Sequence, residues 1–154
     1  MFRIGIGNDT HRLVEGRPLK LGGVHIACER GGAGHSDADA LLHAVSDAIL
    51  GALCEGDLGM HFPDSDPQWK DADSFQLLSR VVWLAHERNI HIVNVDATIM
   101  LETPQVPGHP AFPPPIPPPT RNPPREPGRN PRGAARYGDC WIFSRPRRPR
   151  GERP

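Results

Sequence analysis

Gly34-His35-Ser36-Asp37-Ala38-Asp39-Ala40-Leu41-Leu42-His43-Ala44-Val45-Ser46-Asp47 is the stretch on which the reading of the chain turns. A short loop opens into a run where Leu41, Leu42, Val45, Ile49 and Leu53 recur at helical spacing, which predicts an amphipathic helix to about Cys54. Ser36, with Asp39 three residues on, resembles a capping box in which Asp stands in for Glu. Asp39, His43 and Asp47 are spaced by four, so they share one helix face beside the apolar stripe.

Towards the N-terminus, Phe2-Arg3-Ile4-Gly5-Ile6-Gly7 alternates apolar with small or polar residues and predicts a strand. The polar cluster Asn8-Asp9-Thr10-His11 ends it. Pro18 to Ile26 predicts two short strands around the Gly22-Gly23 turn. Gly31-Gly32-Ala33-Gly34 reads as a flexible loop that leaves the chain before His35 free to move.

Towards the C-terminus, Glu55 to Gly59 reads as a helix exit and turn, and Phe62-Pro63-Asp64-Ser65-Asp66-Pro67 as an acidic loop, since its prolines oppose helix. Asp73-Ser74 is a helix start, and Leu77, Leu78, Val81, Val82, Leu84 and Ala85 give an apolar face to about Arg88. From Ile90 to Leu101, Val93, Val95, Ala97, Ile99 and Leu101 alternate on one face and predict a strand. The order β, β-hairpin, α, α, β makes residues 1–104 one α/β or α+β domain, a small mixed β-sheet covered by helices on one face.

The zero net charge hides an asymmetry. Residues 1–103 carry 8 basic and 15 acidic residues, whereas 104–154 carry 10 and 3, together with 16 of the 19 prolines. Pro113-Pro114-Pro115-Ile116-Pro117-Pro118-Pro119 and the Arg/Pro run 145–150 suit neither sheet nor helix, so composition makes 105–154 a disordered tail. Cys28, Cys54 and Cys140 are odd in number and have neither metal nor disulfide spacing, which points to a reducing cytoplasm. No apolar run approaches the ~18 residues of a membrane span, and no signal- or transit-peptide pattern is visible.

Two imidazoles and a carboxylate, as in Asp9, His11 and His43, are a familiar set for a zinc ion with one open position. Asp-x-His is short and common, however, and a helical His is more often a satisfied core or surface residue. Spacing alone leaves both readings open. Asp47 could take the other N–H of His43, as carboxylates do behind metal-bound histidines, or simply face solvent. His35 and Ser36 would lie at the positive end of the helix dipole, a place for a phosphate, although Ser36 could equally serve only as an N-cap. Asp57 and Gly59 alone read as an ordinary turn. The histidines at 25, 61, 86, 91 and 109 show no obvious partners.

The combination is more specific than its parts. Gly7-Asn8-Asp9-Thr10-His11-Arg12-Leu13, Leu21-Gly22-Gly23-Val24, His35-Ser36-Asp37-Ala38-Asp39, Leu42-His43-Ala44, Asp47 to Ala52, Gly56-Asp57-Leu58-Gly59, Phe62 to Pro67, Lys70 to Ser74 and Asn94 to Ile99 stand in the order of one family. Over about residues 2–104 the chain resembles the 2-C-methyl-D-erythritol 2,4-cyclodiphosphate synthases of the non-mevalonate isoprenoid pathway. The resemblance implies a cytoplasmic homotrimer with active sites between neighbours. Its substrate is 4-diphosphocytidyl-2-C-methyl-D-erythritol 2-phosphate, cyclised with release of CMP. It further implies Zn²⁺ or another divalent cation on Asp9, His11 and His43, and Mg²⁺ or Mn²⁺ on the substrate diphosphate. His35 would assist the transition state. Asp9, Thr10, His11, His35, Ser36, Asp57, Leu58, Gly59, Phe62, Pro63, Asp64, Ser65 and Asp66 would contact the substrate, His35 and Ser36 on a mobile loop.

The family continues with a Pro-Lys segment, a helix, a Thr-Thr-Glu strand that walls the cytidine pocket, and Gly-Arg-Gly-Glu-Gly. Here Pro104 is followed by Gln105 and none of these motifs appears. The Arg/Pro bias and the absence of Leu and Lys after 104 suggest a reading-frame shift in a GC-rich gene. Reading the DNA in the other two frames after codon 104 tests this, and activity would suffer if the wall is lost. Two alternatives differ in class. One is a non-enzymatic binding protein whose basic tail engages nucleic acid or PxxP-reading partner domains, although the sparse interleaving of aromatic residues disfavours nucleic acid. The other is a simple zinc hydrolase, which does not account for the full motif set.

Overall fold

A computed structural model describes residues 2–104. In chain order the elements are β1 (Leu13–Glu15), β2 (Leu19–Leu21), β3 (Val24–Ile26), β4 (Arg30–Gly32), α1 (Ala40–Leu53), α2 (Leu58–His61), a 3₁₀ turn (Pro67–Trp69) and α3 (Ser74–Glu87). This is an α+β arrangement of helices and small sheets. Both sheets are antiparallel pairs, β1 with β4 and β2 with β3, rather than one mixed sheet.

The β2–β3 hairpin is as predicted. Gly22 and Gly23 have φ of 61° and 79°, the positive pair that a two-residue hairpin turn of the right twist requires. Asp39 locks this turn to α1. Fully buried, its carboxylate accepts the N–H groups of Gly22 (2.8 Å) and Gly23 (2.6 Å) and caps Leu42 N–H (3.1 Å). The helix therefore starts at Asp39, not Ser36. Asp39 offers two oxygens to three donors, while the Ser36 hydroxyl accepts Ala38 N–H and faces His43.

The core lies between α1 and α3. Leu41, Leu42, Val45, Ile49, Leu50 and Leu53 meet Leu77, Leu78, Val81, Val82 and Ala85, with Phe62, Trp69 and Ala72 closing one end. Each buried aliphatic side chain contributes about 1.5–3 kcal/mol. Phe62 and Trp69 pack edge to face at 4.9 Å. Helix α3 starts on Asp73, as its sequence predicts, and ends at Arg88.

The two outer strands predicted from alternation do not form among the described residues. In segment 2–7 the glycines, not the isoleucines, face inward. A Cβ on Gly5 would lie 1.8 Å from the Ala48 carbonyl oxygen and one on Gly7 1.9 Å from that of Ala44, whereas Ile4 and Ile6 are 86% and 91% exposed. The segment thus lies along the α1 backbone and runs opposite to it, with Arg3 Nη1 donating to Ala52 O at 2.9 Å. In segment 90–101, Ile90, Ile92 and Val95 rest on the core and Val93 is 82% exposed. Neither segment has a ladder partner among the described residues.

The Gly31-Gly32 part of the predicted flexible loop is instead strand β4, and both residues are buried. A Cβ on Gly31 would meet Pro18 O at 2.1 Å, so backbone packs on backbone there. The following segment is tethered: Arg17 donates to the carbonyls of Gly34 (3.0 Å) and Ser36 (2.6 Å), and Asp71 N–H to that of His35 (2.8 Å). The expectations for the 105–154 tail lie outside the described residues.

Candidate metal centre

The antiparallel run of segment 2–11 along α1 has a direct consequence. Two residues of extended chain advance about as far as one helical turn, so after Gly7 opposite Ala44 the next inward residues arrive at His43. Asp9 Oδ2 lies 3.0 Å from His43 Nδ1 and 3.0 Å from His11 Nε2, and the two nitrogens are 3.1 Å apart. The rings meet edge to face with centroids 5.2 Å apart. Among the described residues no other three His, Cys, Asp or Glu side chains converge in this way.

This triangle fits a tetrahedral metal. Zinc bonds of about 2.0–2.1 Å place neighbouring donors roughly 3.3 Å apart, and the observed edges are 3.0–3.1 Å. Without a cation the arrangement crowds two imidazole nitrogens against one carboxylate oxygen. Burial disfavours the charged form of Asp9, but hydrogen bonds and positive charge from His11 and His43 outweigh it and hold the carboxyl far below the usual range. The hydrogen bond to Asp9 raises the His11 pKa above its ordinary value, and burial opposes the shift only in part.

The three side chains open onto a cavity of about 230 Å³, also lined by Gly34, His35, Ser36, Asp47, Leu58, Gly59, Phe62, Asp64, Trp69 and Leu77. Of the residues the resemblance implies, Asp9, His11, His35, Ser36, His43, Leu58, Gly59, Phe62 and Asp64 come together here. Thr10, Asp57, Pro63, Ser65 and Asp66 do not line it. Thr10 is exposed, its N–H bonded to Asp9 Oδ1 at 2.8 Å. Asp57 caps α2 through Met60 N–H (2.9 Å), so the predicted helix exit and turn runs straight into a short second helix. Asp66 caps the 3₁₀ turn, and its carbonyl accepts from His35 Nε2 at 3.3 Å.

The predicted pairing of Asp47 with His43 is not found. Asp47 accepts Leu58 N–H at 2.7 Å, which holds α2 against α1, and the far side of His43 meets Ser36 and Ser74 instead. Ser74, Trp69 and Leu77 were not singled out in the sequence as site residues. Ser74 follows a strong N-cap and reads as part of the helix start, and Leu77 reads as part of that helix's apolar face.

A converging two-histidine, one-carboxylate centre beneath a polar loop, on this α+β scaffold, defines the class: the chain belongs to the YgbB family, whose model matches residues 2–111. Among its relatives, the 2-C-methyl-D-erythritol 2,4-cyclodiphosphate synthase of Bacillus pumilus is 59% identical over 106 residues, covering 69% of this chain and 67% of the relative. That of Salinibacter ruber is 62% identical over 108 residues, covering 70% and 69%. A solved structure of 2C-methyl-D-erythritol-2,4-cyclodiphosphate synthase superposes with a TM-score of 0.54 at 48% identity, over 56% of this chain and 58% of that one. Its CDP-bound form gives 0.53 at 47%, with the same coverage. The matched part thus spans about two thirds of the curated relatives and less of the solved chains.

Proposed function

We propose that this chain is a metal-dependent cyclase that converts 4-diphosphocytidyl-2-C-methyl-D-erythritol 2-phosphate into 2-C-methyl-D-erythritol 2,4-cyclodiphosphate and CMP. The observation that carries this reading is the Asp9–His11–His43 triangle, with edges of 3.0–3.1 Å, at the cavity that His35 and Ser36 also line. Family membership and the names of the relatives support it.

In the reaction an oxygen of the 2-phosphate bonds to the β-phosphorus. The bond from that phosphorus to the bridging oxygen breaks, and CMP leaves with the electron pair. The nucleophile is already an anion, so no general base is needed; the task is positioning and charge neutralisation. Asp9, His11 and His43 would hold Zn²⁺ or another divalent cation, which supplies positive charge against the phosphoryl oxygens. The His35 ring would take up charge at the diphosphate, with Ser36 a donor to the same group. Leu58, Gly59, Phe62 and Asp64, with Asp57, Pro63, Ser65, Asp66 and Thr10 around them, would bound the erythritol end. Mg²⁺ or Mn²⁺ would arrive with the diphosphate.

Residues 1–104 would be the catalytic domain, in a cytoplasmic homotrimer. The exposed Phe2, Ile4, Ile6, Val93 and Met100 on unladdered segments support a covering neighbour, and no helix of the described residues is long and apolar enough to cross a membrane. The cytidine wall has no counterpart after Gln105. Metal binding, which does not draw on that wall, would survive in part, with turnover well below that of the relatives. Zinc stoichiometry, mass in solution and CMP release from the named substrate test this. A folded protein that takes up no zinc would sink it.

A further inference from the structure

Behind His43 a file of polar side chains leads away from the cavity. His43 Nε2 lies 2.8 Å from Ser74 Oγ and 3.2 Å from Ser36 Oγ. Ser74 Oγ donates to Asp37 Oδ1 at 2.5 Å, and Ser74 N–H reaches the same oxygen at 3.2 Å. Asp37 Oδ2 accepts from Lys20 Nζ at 2.9 Å. Ser74 is fully buried, so its hydroxyl has no water to turn to.

The direction of each proton follows from the far end of this file. A carboxylate paired with a lysine only accepts. The single hydroxyl proton of Ser74 is therefore committed to Asp37, and Ser74 Oγ faces His43 as an acceptor. His43 Nε2 must carry the hydrogen. In a neutral imidazole the lone pair is then on Nδ1, the atom that lies 3.0 Å from Asp9 Oδ2 and 3.1 Å from His11 Nε2.

We propose that Ser74, backed by Asp37 and Lys20, is a positioning residue that holds His43 as its Nε2–H tautomer and aims Nδ1 at the metal position. This rests on the metal reading above and names the side chains that would hold the ligating ring from behind. Partners behind a ligating histidine typically contribute 10- to 100-fold in metal affinity. Here the chain draws them from three separate elements, β2, the turn before α1 and the start of α3.

The test uses the full chain with Zn²⁺ alone as probe, titrated against a chromophoric chelator, and ¹⁵N spectra of the His43 ring in metal-free protein. Ser74→Ala is expected to weaken Zn²⁺ binding about 10- to 100-fold and to expose the Nε2 proton to rapid exchange. Ser74→Thr, which keeps the hydroxyl, should restore both. Asp37→Asn, of equal size, should show a smaller loss. Unchanged Zn²⁺ affinity in Ser74→Ala overturns the proposal, as does a Thr variant no better than Ala. If the wild type takes up no Zn²⁺, the metal reading fails, and the ring proton still decides. Its protection in wild type and Ser74→Thr but not in Ser74→Ala upholds the positioning role; protection in all three overturns it.

Discussion

Asp9 Oδ2 stands 3.0 Å from His43 Nδ1 across 34 residues of sequence, and this contact ties the unladdered N-terminal segment to helix α1. With one ligand gone, the remaining pair cannot hold a tetrahedral ion tightly. His43→Ala and Asp9→Ala should each lower Zn²⁺ affinity by at least about 100-fold, since losing only a partner behind a ligand already costs roughly 10- to 100-fold. Atomic emission on dialysed protein would show this, and retained stoichiometric zinc in either variant would count against the centre.

Gly7 is where the segment touches the helix. A Cβ there would lie 1.9 Å from Ala44 O, and backbone cannot yield as a flexible side chain can. Gly7→Ala should cost about 1–3 kcal/mol and lift Asp9 away from His43. Urea unfolding and zinc titration of the same sample would report both. An unperturbed variant would mean that the segment does not dock as described.

Gly51 gives the opposite sign. It is exposed within α1, and a Cβ would make only an ordinary 3.9 Å contact with Ile6 O. Gly51→Ala should stabilise the fold by about 0.5–1 kcal/mol, through helix propensity and a less flexible unfolded chain. Equilibrium denaturation midpoints would check it.

Asp39→Ala removes the cap of α1 and orphans the N–H groups of Gly22 and Gly23. A loss of roughly 2–4 kcal/mol is expected. Asp39→Asn should recover only part, because one of its two side-chain oxygens is replaced by a donor. Thermal melts of the two variants side by side would separate these outcomes.

Lys20 carries a pH signature. Burial opposes its charge, but the hydrogen bond and attraction of Asp37 win and raise its pKa above the ordinary 10.5. A group raised on folding stabilises fully below its unfolded value and loses that contribution as pH rises through the folded one. Wild type should therefore exceed Lys20→Met in stability by a constant margin from pH 7 to about pH 9.5, and the margin should shrink as pH rises beyond the ordinary 10.5. A margin unchanged at high pH would mean that the stem of Lys20, not its charge, stabilises the fold.

Much of this fold was legible in local chemistry. The Gly22-Gly23 hairpin, the apolar stripe of α1 and the Asp73 start of α3 each rest on contacts within a few residues. The trio Asp9, His11 and His43 was visible as a residue set, and only the fold could bring it to one point. What misled was information that is not local. Ile4 and Ile6 alternate like a buried strand face, but alternation does not say which face turns inward, and Gly5 and Gly7 are the ones that fit against α1. Ser36 lost the cap to Asp39 because Gly22 and Gly23, far away in sequence, also bind that carboxylate. Asp47 left His43 for Leu58 N–H, and Ser74 stayed silent because a serine after an N-cap aspartate already has an ordinary explanation.

The segment of Gly5 and Gly7 needs α1 but no sheet to reach its place, and this bears on the order of events at the ribosome. Asp9, His11 and His43 all precede residue 44, and Ser74 precedes residue 75. Translated at about 5–20 residues per second, the ligands are made seconds before residue 104. The side chains of the candidate centre, and Ser74 behind it, are thus all synthesised before any of the proline- and arginine-rich stretch.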